Sequence, residues 1–470
     1  MRSSKEAVAE SISQIKPEVF WLDNFGPRVP NPPLATNLEV DCLIVGGGFS
    51  GLWTALHLKR REPTLEIALI EAGTIASGAS GRNGGFVDAS LTHGVENGID
   101  RYPKDIELIE RLGFENLLEL AKDVHEEGID CDLSFNGTLD VAVREWEIDA
   151  LRQRAKLGER FGYEQQFLDQ KATRLEVNSP TYLASLYTKD RCALVDPAKL
   201  AFGLFEAIVR RGVKVYEGTA ATAVRDRGNE VEVSTSGSVI IRAKKLVLAT
   251  CAFPSLLKGY GSLILPVYDY VLVSEPLDER QLAEIRWHNR QGLADSGNLF
   301  HYYRMTKDNR ILFGGYDAIY HFANSVDPAY NFRKKSFETL ATHFFETFPS
   351  LQGLHFTHGW GGPIDTSSRF SMFFGSRYGA KVFYVGGFTG LGVGATRFAG
   401  KVLADKVLGE DTTLTRLPFV THKPLPFPPE PFRSFFVWLT RRSLISADGH
   451  DGRRNLWLKL LDAMHIGFDS

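Results

Sequence analysis

Val40-Asp41-Cys42-Leu43-Ile44-Val45-Gly46-Gly47-Gly48-Phe49-Ser50-Gly51-Leu52, followed by Leu65-Glu66-Ile67-Ala68-Leu69-Ile70-Glu71, is the stretch that decides the fold. It reads as a buried strand, a G-x-G-x-x-G turn, a helix, a second strand and an acid, in that order. Gly46 permits the tight turn, Gly48 lets backbone approach a pyrophosphate, and Gly51 lets the helix pack closely on the strand. Phe49 and Ser50 open that helix, so their N–H groups point where a phosphate is best held. Glu71 comes twenty residues after Gly51, the spacing at which a carboxylate accepts hydrogen bonds from an adenosine ribose, and Ala72 follows it. An acid at this place disfavours a phosphorylated ribose, which points to FAD or NAD rather than NADP.

The rest of the composition excludes more than it selects. The chain has 470 residues, enough for two associated domains, with 43% hydrophobic and 24% charged residues. A formal charge of −3 gives no pull toward nucleic acid. Cys42, Cys131, Cys192 and Cys251 are isolated, with no C-x-x-C pair and no cysteine–histidine spacing of a metal site, so reduced thiols, a cytoplasmic location and no metal are expected. The first residues lack the apolar core of a secretory signal, and no run approaches the ~20 apolar residues of a membrane span.

Along the chain, residues 1–36 read as a proline-rich arm. Ser77-Gly78-Ala79-Ser80-Gly81-Arg82-Asn83-Gly84-Gly85 is a glycine loop able to approach a ligand. Residues 102–176 carry a helical stripe of Ile106, Ile109, Leu112, Leu117 and Leu120. Val213–Glu217, Glu230–Val233 and Ala243–Thr250 read as strands returning to the nucleotide-binding sheet, which is therefore discontinuous in sequence. Short aromatic strands between 263 and 366 predict a second, largely antiparallel sheet. Val382-Phe383-Tyr384-Val385-Gly386-Gly387-Phe388-Thr389-Gly390-Leu391-Gly392-Val393 is again strand then glycine turn, offering a second helix N-terminus. Beyond Pro418 come two amphipathic pieces, 432–442 and 456–461, read as docking on the body or a subunit, with contact to a membrane surface as the other reading.

These motifs, with Tyr302-Tyr303-Arg304-Met305-Thr306 and Phe313-Gly314-Gly315, resemble the FAD-dependent D-amino-acid oxidase and glycine oxidase superfamily, most closely its γ-glutamylputrescine oxidase group. The resemblance implies an α/β fold: a Rossmann-type FAD-binding domain at 37–100, 186–260 and 367–415, and a substrate domain with a largely antiparallel sheet and helices at 101–185 and 261–366. The segment 416–470 is left as a tail. It implies FAD contacts by Gly46, Gly48, Phe49, Ser50, Gly51, Glu71, Ala72, Ser80, Gly81, Arg82, Asn83, Gly84, Gly85 and Thr250. Gly390, Leu391, Gly392 and Val393 would meet the pyrimidine end of the flavin, where amide donors stabilise the charge left by an arriving hydride.

Two departures from the family matter. Relatives that attach flavin covalently use a late cysteine or a histidine in the glycine loop; here nothing follows Cys251 and Arg82 holds the loop position, so noncovalent FAD is implied. Where amino-acid oxidases clamp an α-carboxylate with arginine, this chain has Trp360-Gly361-Gly362-Pro363-Ile364-Asp365, with Ile364 at the arginine's place. Losing a bidentate guanidinium favours an amine without an α-carboxylate.

The expected reaction is oxidation of a C–N bond to an imine, hydrolysed to a carbonyl, with O2 or another acceptor reoxidising the flavin. Tyr268 and Tyr302 are candidate walls around the amine, and alternation puts Tyr302 and Tyr303 on opposite faces. Asp365 either accepts a cationic nitrogen or caps a turn. His301 and His358 are candidates for which a structural role is the commoner reading, and Arg304 anchors a remote acid or forms a structural ion pair. A deaminating α-amino-acid dehydrogenase and a non-catalytic partner-binding flavoprotein are the competing classes. A homo-oligomer stays open.

Overall fold

The computed structural model describes residues 4–464 and 466. Leu38–Val45 forms the centre of an eight-stranded sheet because Cys42 to Val45 are apolar without interruption and can be covered on both faces. It pairs in parallel with Ile67–Ile70 and Ile240–Leu248, and the parallel run continues to Lys214–Tyr216 on one side and Val382–Gly386 on the other. Val231–Thr235 and Ala221–Asp226 extend it in antiparallel fashion. Helices Phe49–Arg61, Pro197–Arg210 and Gly392–Leu408 cover this sheet. A Cβ on Gly400 would lie 2.9 Å from the Trp53 Cβ, so glycine is what lets two of those helices touch.

The second sheet has nine strands and carries the aromatic core. Its longest pair is Leu265–Ser274 against Phe356–Thr366, with Asp269 opposite Gly362 and Val267 opposite Ile364. It continues through Ile311–Gly315, His301–Met305 and Gly292–Asp295 into Thr138–Ala142, Ala184–Thr188 and Gln165–Leu168. The last four joins include one parallel pairing, Gly292–Asp295 with Thr138–Ala142. Two of these strands fall within 102–176, a stretch whose apolar stripe reads as helix; helices do fill it at Ile106–Glu126, Glu145–Arg160 and Gln170–Glu176, but short strands separate them. The segment 186–188 also belongs to this sheet rather than to the nucleotide-binding one.

The N-terminal arm is stitched down. Trp21 donates its indole N–H to the Asn83 carbonyl at 2.9 Å, and Arg28 and the Asn31 N–H both engage Glu217. At the other end, helices Phe432–Asp448 and Leu456–Ala463 form a hairpin around Leu444, Ala447, Leu458 and Leu461. Asp448 fastens it to the body by accepting the Asn298 and Leu299 N–H groups at 2.9 and 3.1 Å. Phe435 and Trp438 stay half exposed on its outer side. No described helix is long and apolar enough to cross a membrane.

Candidate active site

A cavity of about 1110 Å³ lies between the glycine turns of the first sheet and the floor of the second, with the C-terminal hairpin along one side. Two helix N-termini open on it. Neither Phe49–Arg61 nor Gly392–Leu408 has a side-chain cap of its own, so first-turn N–H groups face the cavity. Gly46 has φ +117°, and its missing Cβ leaves room for the Ala249 carbonyl. Gly51 lacks one because the Gly46 carbonyl occupies that space. Ser80 lies over the turn: its hydroxyl accepts the Phe49 N–H at 2.8 Å, the distance at which a Cβ on Gly48 would also strike it.

Glu71 closes the same turn, accepting the Gly47 N–H at 2.7 Å and the Gly73 N–H at 2.8 Å. Each oxygen keeps lone pairs for further donors. Ala72 beside it is exposed, and the Thr250 hydroxyl is buried without a hydrogen-bond partner. At the late turn, Gly390 has φ +90° with nothing within 4 Å of a notional Cβ, and Gly392 is nearly as open; Leu391 and Val393 share the wall. Open glycines at a helix N-terminus, an acid at the end of the second strand and an orphaned hydroxyl fit a dinucleotide flavin.

Asp365 holds this late turn. It is buried, accepts the Gly387 N–H at 2.7 Å, and its carbonyl takes the Thr389 N–H. Burial pushes its carboxyl up to about 6 against the pull of the Gly387 and Phe388 N–H groups. In the glycine loop, Asn83 is spent locally: its amide donates to the Ala79 and Ser80 carbonyls and accepts the Gly85 N–H. Arg82 donates to the Ser77 and Gly361 carbonyls at 2.8 and 3.0 Å, and burial lowers its pKa. Gly81 packs on the Ala76 carbonyl, and Gly85 has φ +78°.

Tyr302 is where the loop meets the floor. Its ring fits between Gly84 and Gly314, where a Cβ would come within 2.7 Å at either glycine. Its hydroxyl donates to Asp269 at 2.6 Å. Asp269 also accepts the Tyr270 and Gly315 N–H groups at 2.7 and 3.1 Å. Burial pushes this carboxyl up to about 6, and the Tyr302 hydroxyl is the largest of the interactions drawing it back. Sequence reading passed over Asp269, although an acid between Tyr268 and Tyr270 on a buried strand is a period-two signal. Tyr268 reaches the cavity edge, but its hydroxyl points to the Asp327 carbonyl at 3.3 Å. Tyr303 faces the aromatic core and meets the Tyr182 hydroxyl at 2.7 Å.

The remaining candidates sit behind the wall. His301 is held by Asp295 at 2.6 Å and His343 at 2.9 Å. His358 meets Asp23 of the arm at 2.9 Å. Arg304 is fully enclosed and donates to the carbonyls of Gly84, Gly85 and Val195, closest to Val195 at 2.6 Å. Burial lowers its pKa to about 10, against the opposing pull of Asp196 and Asp132. Among the described residues there is no cluster of three side chains able to hold a metal ion.

The fold and cradle together define a dinucleotide-dependent oxidoreductase whose cavity is floored by a separate sheet. Residues 41–406 match the DAO family of FAD dependent oxidoreductases, and the chain belongs to that family. It is 30% identical over 427 residues to γ-glutamylputrescine oxidoreductase of Escherichia coli, covering 87% of this chain and 92% of that protein. It is 28% identical over 408 residues to the probable oxidoreductase OrdL of Haemophilus influenzae, covering 84% and 89%. The crystal structure of glycine oxidase from Geobacillus kaustophilus superposes with a TM-score of 0.69 at 20% identity, covering 83% of this chain and 100% of that one. The protein is thus an FAD-dependent oxidoreductase of the group acting on amines and amino acids.

Proposed function

We propose that the protein oxidises an amine lacking an α-carboxylate to an imine that water hydrolyses to a carbonyl, with noncovalently held FAD reoxidised by O2. The observation that carries this is the wall opposite the late glycine turn. It presents Ile364 and the Asp269–Tyr302 pair, while Arg82, the arginine nearest that wall, is spent on two backbone carbonyls. A wall with a carboxylate and without a free guanidinium favours a cationic nitrogen over a carboxylate. The relative from Escherichia coli, named for γ-glutamylputrescine, supports the same substrate class.

FAD, when bound, supplies the hydride acceptor. Everything else falls to the chain. Ionised Asp269 draws the ammonium against the floor, and Tyr302 fixes the carboxylate that does so. The apolar Val267, Ile364 and Trp360 beside it disfavour the nitrogen's charge. Asp269, with its carboxyl raised toward 6, is a better proton acceptor than an ordinary carboxylate as that charge is lost. The helix N-terminus at Gly392, beyond the turn that Asp365 pins, would stabilise negative charge on a flavin held against it.

Anaerobic addition of two panels tests this: amines without an α-carboxylate, including γ-glutamylputrescine and secondary amines, against D- and L-α-amino acids. Bleaching of the flavin by the first panel, with colour restored on admitting O2, is expected. Bleaching by α-amino acids alone overturns the substrate reading, and a reduced enzyme that air leaves reduced overturns the acceptor.

A further inference from the structure

The family match ends at residue 406, so the C-terminal hairpin lies beyond it. It nevertheless lines the cavity, through Thr440, Arg441 and Trp457 among others. Arg441 is the hairpin's charged contribution. Its Nη2 donates to Asp317 at 2.6 Å, its Nε is buried with no partner, and no hydrogen bond engages Nη1. Asp317 is buried and already accepts Arg333 at 3.1 Å and Ser336 at 2.6 Å, so two guanidinium groups share one carboxylate and Arg441 keeps donors that it does not satisfy.

Next to it, Tyr316 stands at φ +65°, a backbone conformation uncommon for a bulky side chain and one that concentrates at functional sites. Its ring lies flat on His301, 5.3 Å between centroids and 9° between planes, and His301 is itself locked by Asp295 and His343. The Tyr316 hydroxyl faces the cavity with no partner among the described residues. Burial raises its pKa, and Arg441 opposes that rise, which places the two within electrostatic reach. Ser296, on the same cavity wall, has a buried hydroxyl that is also unpartnered.

We propose that Tyr316, Arg441 and Ser296 form a subsite for a carboxylate at the end of the substrate remote from the oxidised nitrogen. This rests on the amine-oxidation reading and names its substrate class: an extended amine bearing a distal acid. Three donor-bearing side chains, one of them a guanidinium with a carboxylate holding only one side, match the acceptor geometry of a carboxylate. Arg304, the other reading for a remote-acid anchor, has its donors on backbone carbonyls.

The test compares a homologous series of ω-amino acids with the matching ω-amino carboxamides on the holoenzyme, reading kcat/KM for each pair. The carboxylate is expected to be preferred, and Arg441→Met to cut that preference about twentyfold, the scale of a lost charge-assisted hydrogen bond. Tyr316→Phe, which removes one hydroxyl and leaves the hairpin's ion pair, is expected to cut it about fivefold. Calorimetric titration with straight-chain monocarboxylates, which carry no amine to oxidise, should show the same weakening. Amines that reduce the flavin while neither variant changes the preference would overturn the subsite and leave the amine reading intact. If no amine reduces the flavin, that reading fails, and monocarboxylate binding unaltered by Arg441→Met overturns the subsite as well.

Discussion

Asp269 and Tyr302 act as one unit, because the tyrosine's position between Gly84 and Gly314 allows its hydroxyl little choice but the carboxylate 2.6 Å away. Burial raises the folded-state pKa of Asp269 from 3.8 to about 6. For an acid shifted upward, the native state holds the proton more tightly, so its stabilising contribution is full below about pH 4 and is lost as pH climbs through about 6. That contribution is on the order of 3 kcal/mol. Under the proposed amine oxidation activity runs the other way, since the ionised form would hold and deprotonate the amine. We expect kcat/KM to rise with pH through about 6. Tyr302→Phe removes a donor to the ionised form and should move that limb to higher pH, while Asp269→Asn should abolish it with a loss of about a hundredfold. A limb unmoved in both variants would remove Asp269 from the chemistry. Strand alternation separates Tyr302 from Tyr303, but only the Y-Y-R resemblance favours Tyr302 in the sequence; Asp269 required knowing which face of the strand turns to the cavity.

At the level of elements, the cavity's outer wall depends on how the C-terminal hairpin is fastened. Asp448 takes the Asn298 N–H, the Asn298 amide and the Leu299 N–H, all near the end of its helix. Asp448→Ala would strand two backbone donors at a partly buried seam, at about 1–3 kcal/mol. Because the hairpin's own core is small, that loss should appear as local opening. Amide exchange across 432–463 is expected to quicken while the Leu38–Val45 strand stays protected; equal quickening in both would mean the hairpin is part of the cooperative core. The elements differ in how far sequence discloses them. Leu38–Val45, its glycine turn and Glu71 carry their own local chemistry and read directly. Thr138–Ala142 and Gln165–Leu168 do not, because strands of four or five residues owe their conformation to partners at 184–188 and 292–295. The two helices of the hairpin read as amphipathic, yet which surface they cover is decided by Asp317 and Asn298, over a hundred residues away.

Over the whole molecule, the two sheets are joined by polar side chains reaching across to carbonyls, and Arg304 is the buried cation among these. From the substrate sheet it donates to Gly84 and Gly85 of the glycine loop and to Val195, while Trp360 of the same sheet donates to the Arg82 carbonyl at 2.8 Å. Trp21 of the arm donates to the next carbonyl, that of Asn83, and stacks its ring against the Arg304 guanidinium. Successive carbonyls of the glycine loop are thereby held by three different parts of the chain, so the position of the loop over the cavity is a property of the assembled molecule. This explains why Arg304 reads from sequence as an anchor for a remote acid or, at least equally, as a structural ion pair: its type and its place in the Y-Y-R segment suit both, and only the folded chain shows its donors turned to backbone carbonyls. A fully buried cation serving carbonyls is hard to replace. Arg304→Met would take the buried donor from the Gly84 and Val195 carbonyls, the Gly85 carbonyl keeping the Val195 N–H at 2.9 Å, and should cost about 3 kcal/mol, whereas Arg304→Lys keeps a charge but only a point donor and should recover part of it. Since FAD binds the folded chain, saturating flavin at a hundred times its Kd returns about 2.7 kcal/mol. The melting temperature of apoprotein is therefore expected to fall in the order wild type, Arg304→Lys, Arg304→Met. The displaced loop should also weaken flavin binding in the same order, measured by quenching of free FAD fluorescence. A methionine variant that melts low yet binds flavin as the wild type does would show that Arg304 supports the sheets without positioning the loop.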